Sequence, residues 1–525
     1  MNDLIVEGAT IIDGSGDDGF MGSVGIRGDR IAWIARGETP ASVEAAVRLD
    51  AQDLVVTPGF VDVHNHSDLC PLVDPDMVST IRQGVTTVVV GNCGSSPWPV
   101  AGAADCAAMA GGSPDAMDLR FASFGDYLDR IERAGPAVNI AALVGHGAVR
   151  LDAMGLERRP PTDDELTHMR RSVADAIQQG AVGLSTGLIY VPGLFSQTDE
   201  VVALAHAAAQ GGGLYASHIR GEGAHLFRAV DEAIEIGRRA GLPAHVSHLK
   251  CESSVVWGRA EELLERFHGD ADVTTDQYPY TAWSSVLWSL LPEWAPVADV
   301  GTLRADPGTH EQLVRAVEHG DETFQSSVNG VGWDRIVIEA CGRGRWNGLS
   351  VQAIAEARSI QPVEACFDLL EEDPETSCIG HAMDEGDVRT IMADLEVMVA
   401  SDAIAMSPQG PLGSLPVHPR AYGTFPRVLG PYVRDGLLGL EAAVRKMTSL
   451  PADRFGLRDR GHIAEGGYAD LVVLDPSTVQ DIADFGDPHA FPEGIGTVIV
   501  NGTVAWDAAH PTDPIGRSGR VLRSR

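Results

Sequence analysis

Three consecutive stretches decide the fold: NIAALVGHG (Asn139–Gly147), TDDELTHMRRSVADAIQQ (Thr162–Gln179) and AVGLSTG (Ala181–Gly187). The first and third are short apolar runs that end in polar residues, as buried strands do; the second has helical periodicity. Thr162 and Glu165 stand at capping-box spacing and mark where that helix begins. A strand, a helix and a second strand form a βαβ unit, which implies a parallel sheet. Working outward, the unit recurs. GFVDVHNH (Gly59–His66) and TTVVVGNC (Thr86–Cys93) precede it. GLYASHI (Gly213–Ile219), PAHVSHLK (Pro243–Lys250), DVTTDQYPY (Asp272–Tyr280) and EVMVASD (Glu396–Asp402) follow, with helical stretches such as AHLFRAVDEAIEIGRRA (Ala224–Ala240) between them. Eight such strands are the number that closes a (β/α)8 TIM-like barrel, so the expected class is α/β with a barrel over residues 57–455.

The two ends have a different texture. LIVEGATIID (Leu4–Asp13) and SVGIRGDRIAWIA (Ser23–Ala35) are short alternating runs broken by Gly and Asp. YADLVVLDP (Tyr468–Pro476) and GTVIVNGTVAW (Gly496–Trp506) repeat the style, with Asn501-Gly502 as a hairpin turn signal. One small β-sandwich domain built from both termini, residues 1–56 and 456–525, is expected. Between Trp283 and Trp346 a long Trp-, Pro- and Gly-rich segment interrupts the alternation and reads as a lid-like insertion, about 283–346.

With 525 residues the chain has room for more than one domain. It carries 39 basic and 74 acidic side chains, a net charge of −35, which argues against a nucleic-acid partner. No apolar run approaches the roughly 20 residues that span a membrane. The opening MNDLIVEGATIIDGSG lacks the features of a signal peptide, and seven cysteines without a spacing framework read as reduced thiols, so a cytoplasmic location is expected. Cys70, Cys106, Cys251, Cys341, Cys366 and Cys378 read as packing residues. The acidic run EEDPE (Glu371–Glu375) and the arginine-rich tail from Arg517 read as solvated surface.

The polar residues cluster where strands end, and in a barrel those ends share one mouth. In order they are His64 and His66, Cys93, His146, Ser185, His218, His248, Asp276 with Tyr278, and Asp402. Histidines two apart on a strand point to the same side, which suits chelation of one cation. A lone strand histidine is usually a hydrogen-bonded core residue; several at successive strand ends are not readily so explained. Imidazole, thiolate and carboxylate together suit Zn²⁺, which can activate water and polarise a carbonyl, with an aspartate to carry the proton.

Longer motifs carry a resemblance. PGFVDVHNHSD (Pro58–Asp68), GNCGSSP (Gly91–Pro97), GLSTGLIYVPG (Gly183–Gly193), SHIRGEG (Ser217–Gly223), VSHLK (Val246–Lys250), DQYPY (Asp276–Tyr280) and GTFPRVLG (Gly423–Gly430) resemble the amidohydrolase superfamily, and within it the N-acyl-D-amino-acid deacylases. The resemblance implies a tightly held zinc on Cys93, His218 and His248. It implies a second, weaker metal position framed by His64, His66 and Asp402, with Asp402 as general acid/base. Related enzymes bridge two metals with a carboxylated lysine on strand four; AVGLSTGLIY has no lysine, so the thiolate serves as the anionic ligand. Lys250, Tyr278 and Ser285 are implied to hold the substrate's α-carboxylate, and Tyr190 to polarise the scissile carbonyl.

The expected activity is zinc-dependent hydrolysis of N-acyl-D-amino acids, a small-molecule substrate class, to a carboxylate and a free D-amino acid. Alternatives are another amide, such as a dipeptide with a C-terminal D-residue or a cyclic amide, and a non-catalytic scaffold on the same fold. The loop SDAIAMSPQGPLGS (Ser401–Ser414) departs from the family's usual Ser-Asp-Gly and bears on specificity. Arg420 and Arg427 read as structural. An apolar substrate side chain is expected, with Trp283, Trp288 and Trp294 of the insertion either lining its pocket or packing as lid core.

Overall fold

A computed structural model describes residues 2–39, 43–110, 118–269, 272–292, 294–321, 324–414, 417–512 and 514–524. Eight parallel strands form the central sheet: β1 (Phe60–Asp62), β2 (Val85–Val90), β3 (Asn139–Gly145), β4 (Gly183–Gly187), β5 (Leu214–His218), β6 (Ala244–Val246), β7 (Val273–Gln277) and β8 (Val397–Val399). Each pairs with its neighbours in sequence, from β1 through to β8. The ring closes between the ends of β1 and β8, where Asp402 N–H donates to His64 O and His66 N–H to Ala403 O, both at 2.8 Å. Inward-facing Val61, Val89, Ala141, Leu143, Ala216 and Met398 fill the barrel with the buried Phe455 and Leu457. The expected helix after Pro161 spans Asp163–Gln178; Thr162 Oγ1 accepts from Glu165 N–H, and Glu165 Oε2 accepts from Thr162 N–H at 2.7 Å. Two backbone donors at the helix start, Thr162 N–H and Glu165 N–H, are thereby satisfied.

Both chain ends meet in one eight-stranded sheet. Strands Asn2–Ile11, Phe20–Arg27, Arg30–Arg36, Ala45–Asp50 and Val55–Pro58 join Leu471–Leu474, Ile495–Val500 and Thr503–Asp507. Asn501 and Gly502 both have positive φ, +47° and +78°, as the two-residue hairpin turn between the last two strands requires. This sheet packs its own core of Leu4, Val6, Ile11, Val24, Leu471 and Ile499.

The insertion builds a three-stranded antiparallel sheet, Trp283–Val286, Ile336–Ala340 and Ser377–Gly380, with Ser377–Gly380 in the middle. The layer therefore reaches past Trp346, because its central strand comes from residues 377–380. It has a separate core that includes Leu287, Ile336, Ile338, Phe367 and Cys378.

One surface expectation is corrected and one holds. The arginine-rich tail is docked: Val521–Leu522 pairs with β3, and Arg517, Arg520 and Arg523 form ion pairs with Asp76, Asp29 and Asp129. The EEDPE run is exposed surface as expected, with Glu371 and Glu372 pairing there with Arg304 and Arg358 and Glu375 at the rim of the main cavity. Among the described residues no helix is long and apolar enough to cross a membrane.

Candidate metal centre and substrate cavity

The barrel mouth opens into a cavity of about 820 Å³ between the strand ends and the insertion sheet. At its floor, Cys93 Sγ lies 3.3 Å from His64 Nε2, 3.6 Å from His248 Nε2 and 3.7 Å from His218 Nδ1. Asp402 Oδ1 lies 3.2 Å from His66 Nε2 and 3.4 Å from His64 Nε2. All six expected ligands thus converge, with His64 shared between the thiol and the carboxylate.

Local backbone explains how this is possible. The turn after β2 carries Gly91, Cys93 and Gly94 at φ +79°, +52° and +78°. Cys93, His248 (φ +37°) and Asp402 (φ +50°) are non-glycine residues in the left-handed region, which is uncommon and concentrates at functional sites. A Cβ on Gly94 would stand 2.7 Å from Gly187 N, so the turn is pressed against β4. Ser185 holds the turn from β4, donating to Gly91 O at 2.5 Å and accepting from Gly94 N–H at 3.1 Å.

Beneath the cluster lies a shell of buried carboxylates. Asp276 Oδ1 accepts from His248 N–H at 2.9 Å, and Oδ2 bonds His245 Nε2 at 2.7 Å. Asp62 accepts from Asn65, from Ser401 N–H and from the Ser401 hydroxyl, tying β1 to the end of β8. Such partners fix the orientation of the groups above them. Burial raises the Cys93 thiol, but His64, His218 and His248 outweigh it and hold the thiol well below its usual range. Burial likewise pushes the Asp402 carboxyl up, yet Arg420, His64 and His248 keep it well below the usual carboxylate range.

The donor set fits a divalent cation that accepts nitrogen and sulfur ligands. Ligand atoms of His64, Cys93 and His248, and of His64, His66 and Asp402, each lie within 4.8 Å of one another. The thiol is poised as a thiolate beside three imidazoles, the set Zn²⁺ prefers. The nitrogens that face the cluster are His66 Nε2, toward Asp402, and His218 Nδ1, toward Cys93; His218 Nε2 lies 3.8 Å from Glu222 on the other side of the ring.

The expected substrate residues line the same cavity. Lys250 Nζ donates to Glu222 Oε1 at 2.5 Å and lies 2.8 Å from His248 Nδ1. The Tyr278 hydroxyl is buried without a hydrogen-bond partner among the described residues, and Tyr190 lies beside Ser285. Trp283 and Trp288 line the cavity while packing against the insertion core; Trp294 donates instead to Asp321. His146 stands apart from the cluster. Its Nε2 pairs with Glu200 at 2.9 Å, and Arg150, also on Glu200, donates to Pro192 O, bracing the 187–193 loop.

The sequence reading missed three site residues. Arg420 is buried and donates to Asp402 Oδ2 at 2.7 Å, with its guanidinium 4.9 Å from the Tyr278 ring centroid. Glu222 joins Lys250 and His248; its place four residues after His218 was the available signal. Asp276 was noted as a strand-end polar residue without its supporting role.

Comparison with known proteins agrees with this architecture. The Amidohydrolase family matches residues 48–342 and 347–505. An N-acyl-D-glutamate deacylase of Alcaligenes xylosoxydans xylosoxydans is 40% identical, over 99% of this chain and 96% of the relative. A D-aminoacylase of the same organism is 38% identical, over 99% and 97%. A crystal structure of N-acyl-D-glutamate deacylase from Bordetella bronchiseptica, complexed with zinc and a phosphonate mimic of the tetrahedral intermediate, superimposes with a TM-score of 0.82 at 34% identity, covering 99% of each chain. The chain belongs to the amidohydrolase family, in the group that contains the D-aminoacylases.

Proposed function

We propose that this protein hydrolyses the amide bond of N-acyl-D-amino acids, releasing a carboxylate and a free D-amino acid. The observation that carries the reading is the gathering of His64, His218 and His248 around Cys93, with His66 and Asp402 beside His64, at the floor of a substrate-sized cavity. Cys93, His218 and His248 would hold one zinc tightly, and His64, His66 and Asp402 a second, weaker one. Bound there, the metal supplies Lewis-acid polarisation of the scissile carbonyl and lowers the pKa of water.

The chain's own groups do the rest. Asp402, kept ionised by Arg420, accepts the proton of the attacking water and returns it to the leaving amine nitrogen. Burial pushes the Tyr190 hydroxyl well above its ordinary range, so it stays protonated and donates toward the developing oxyanion. The unpartnered Tyr278 hydroxyl, Ser285 and the remaining protons of Lys250 bind the α-carboxylate, with Arg420 alongside. Trp283 and Trp288 offer an apolar wall to the side chain. No disulfide joins any of the seven cysteines, which supports a reducing, cytoplasmic setting.

The test is amine release from matched N-acetyl-D- and N-acetyl-L-amino acids by zinc-supplemented enzyme. Release from D-substrates that Cys93→Ala and Asp402→Asn abolish is expected. Release from dipeptides or cyclic amides alone would overturn the proposal.

A further inference from the structure

The cavity's outer wall differs chemically from its floor. Glu339 sits on the Ile336–Ala340 strand where the register with Ser377–Gly380 shifts between Ile338 and Ala340, an irregularity of the kind that re-aims a side chain. It lines the cavity beside Ser284, Glu375 and Ser377. Its Oε2 accepts from Ser284 Oγ at 3.1 Å, while Oε1 is buried and has no hydrogen-bond partner among the described residues. The Ser377 hydroxyl beside it, itself without a hydrogen-bond partner among the described residues, is a neutral donor only, and a buried carboxylate without an opposite charge is costly.

Among the described residues, no lysine or arginine of the cavity is free to compensate it. Five carboxylates line the space, Glu222, Glu252, Glu339, Glu375 and Asp402, against one lysine and one arginine, Lys250 and Arg420, with the histidines His66, His218 and His248 at the floor and His418 behind Arg420. Lys250 is engaged by Glu222 and Arg420 by Asp402. Burial pushes the Glu339 carboxyl upward, with Ser284, Ser377 and the more distant Arg420 opposing it. Val286 and Trp288, from the same insertion, give this wall apolar surface as well. The combination of apolar surface and an unsatisfied carboxylate suits a side chain with an aliphatic stem and a charged donor at its end.

Resting on the deacylase reading, we propose that Glu339 selects N-acyl-D-amino acids whose side chain is an aliphatic stem ending in an ammonium or guanidinium group. The same wall repels an acidic side chain, because a second carboxylate would be brought against Glu339, with the exposed Glu375 adding to the negative charge at the rim.

The experiment compares kcat/KM of the zinc-loaded enzyme for N-acetyl-D-lysine, N-acetyl-D-norleucine and N-acetyl-D-glutamate, then repeats it with Glu339→Gln. A charge-assisted contact of this kind predicts a lysine-to-norleucine preference of about ten- to a hundredfold, with glutamate poorest. Glu339→Gln is expected to cut that ratio at least about tenfold. Should that variant fail to fold, Glu339→Asp, which withdraws the carboxylate by one methylene, must lower the ratio in the same direction. A wild-type ratio of one or less, or a ratio unmoved by these variants, overturns the inference while leaving the deacylase reading standing. No hydrolysis of any of the three overturns the deacylase reading itself.

Discussion

Replacing Asp276 tests whether the metal cluster is held from below. This carboxylate is fully buried, accepts the His248 N–H at 2.9 Å and bonds His245 Nε2 at 2.7 Å. Burial raises its pKa, but His245 and His64 outweigh that and leave it ionised. Asparagine keeps one acceptor for the His248 N–H. His245 can then present Nε2 as an acceptor to the new amide by changing tautomer, with Thr274 2.9 Å from its Nδ1. Asp276→Asn therefore exchanges charge-assisted for neutral bonds, a cost of about 1–2 kcal/mol. Alanine leaves two buried donors unsatisfied, at about 1–3 kcal/mol each, or about 2–6 kcal/mol together. Both variants lose the carboxylate that orients the cluster, and outer partners of this kind are worth about 10–100-fold in metal affinity. Zinc competition against a chelator should show that loss in both. Thermal unfolding with the chelator present should rank the midpoints wild type, then Asp276→Asn, then Asp276→Ala. Zinc affinity of wild-type strength in Asp276→Asn, or equal midpoints for the two variants, would refute the reasoning.

Asp402→Asn should lower kcat by about 10²–10⁴-fold while zinc bound at Cys93, His218 and His248 is retained; a loss under tenfold would remove Asp402 as the proton carrier. Gly94→Ala forces a side chain into a φ of +78° and against Gly187 N, so it should displace the Cys93 turn and reduce bound zinc per chain, as elemental analysis would read. Lys446, buried against Met392 O and Asp394 O, has its pKa lowered from 10.5 to about 7 by burial. The unfolded chain holds that proton up to 10.5 and the folded chain only to about 7. Stability from this group is therefore complete above 10.5 and falls as pH drops toward 7, with a slope of at most about 1.4 kcal/mol per pH unit. Denaturation midpoints of Lys446→Met across that window should lose this slope; an unchanged profile would show that the lysine stays charged.

The barrel and the ligand types were legible because both depend on local pattern. Short apolar runs ending in polar residues, separated by helical runs, specify buried strands that open at one mouth, and the Thr162–Glu165 spacing specified a cap that the structure contains. Cys93 was conspicuous for a local reason too, since its turn is flanked by glycines that permit a left-handed backbone. The docked tail was not legible: Arg517, Arg520 and Arg523 pair with acids hundreds of residues earlier, and sequence spacing carries no information about such partners.

By itself, then, the sequence determined the strand and helix alternation, the two β-rich ends and a nitrogen–sulfur–oxygen donor set at strand ends. Only the tertiary structure decided how charges are shared among those donors. Arg420 looks structural in its own segment, yet folding brings it to 2.7 Å from Asp402. Lys250 looks free for a substrate, yet Glu222 takes one of its protons. Glu339 is an ordinary strand residue until Ser377–Gly380 pairs beside it and turns it toward the cavity with one oxygen unsatisfied. Ionic and hydrogen-bond energies depend on distance and burial in three dimensions, and chain order sets neither.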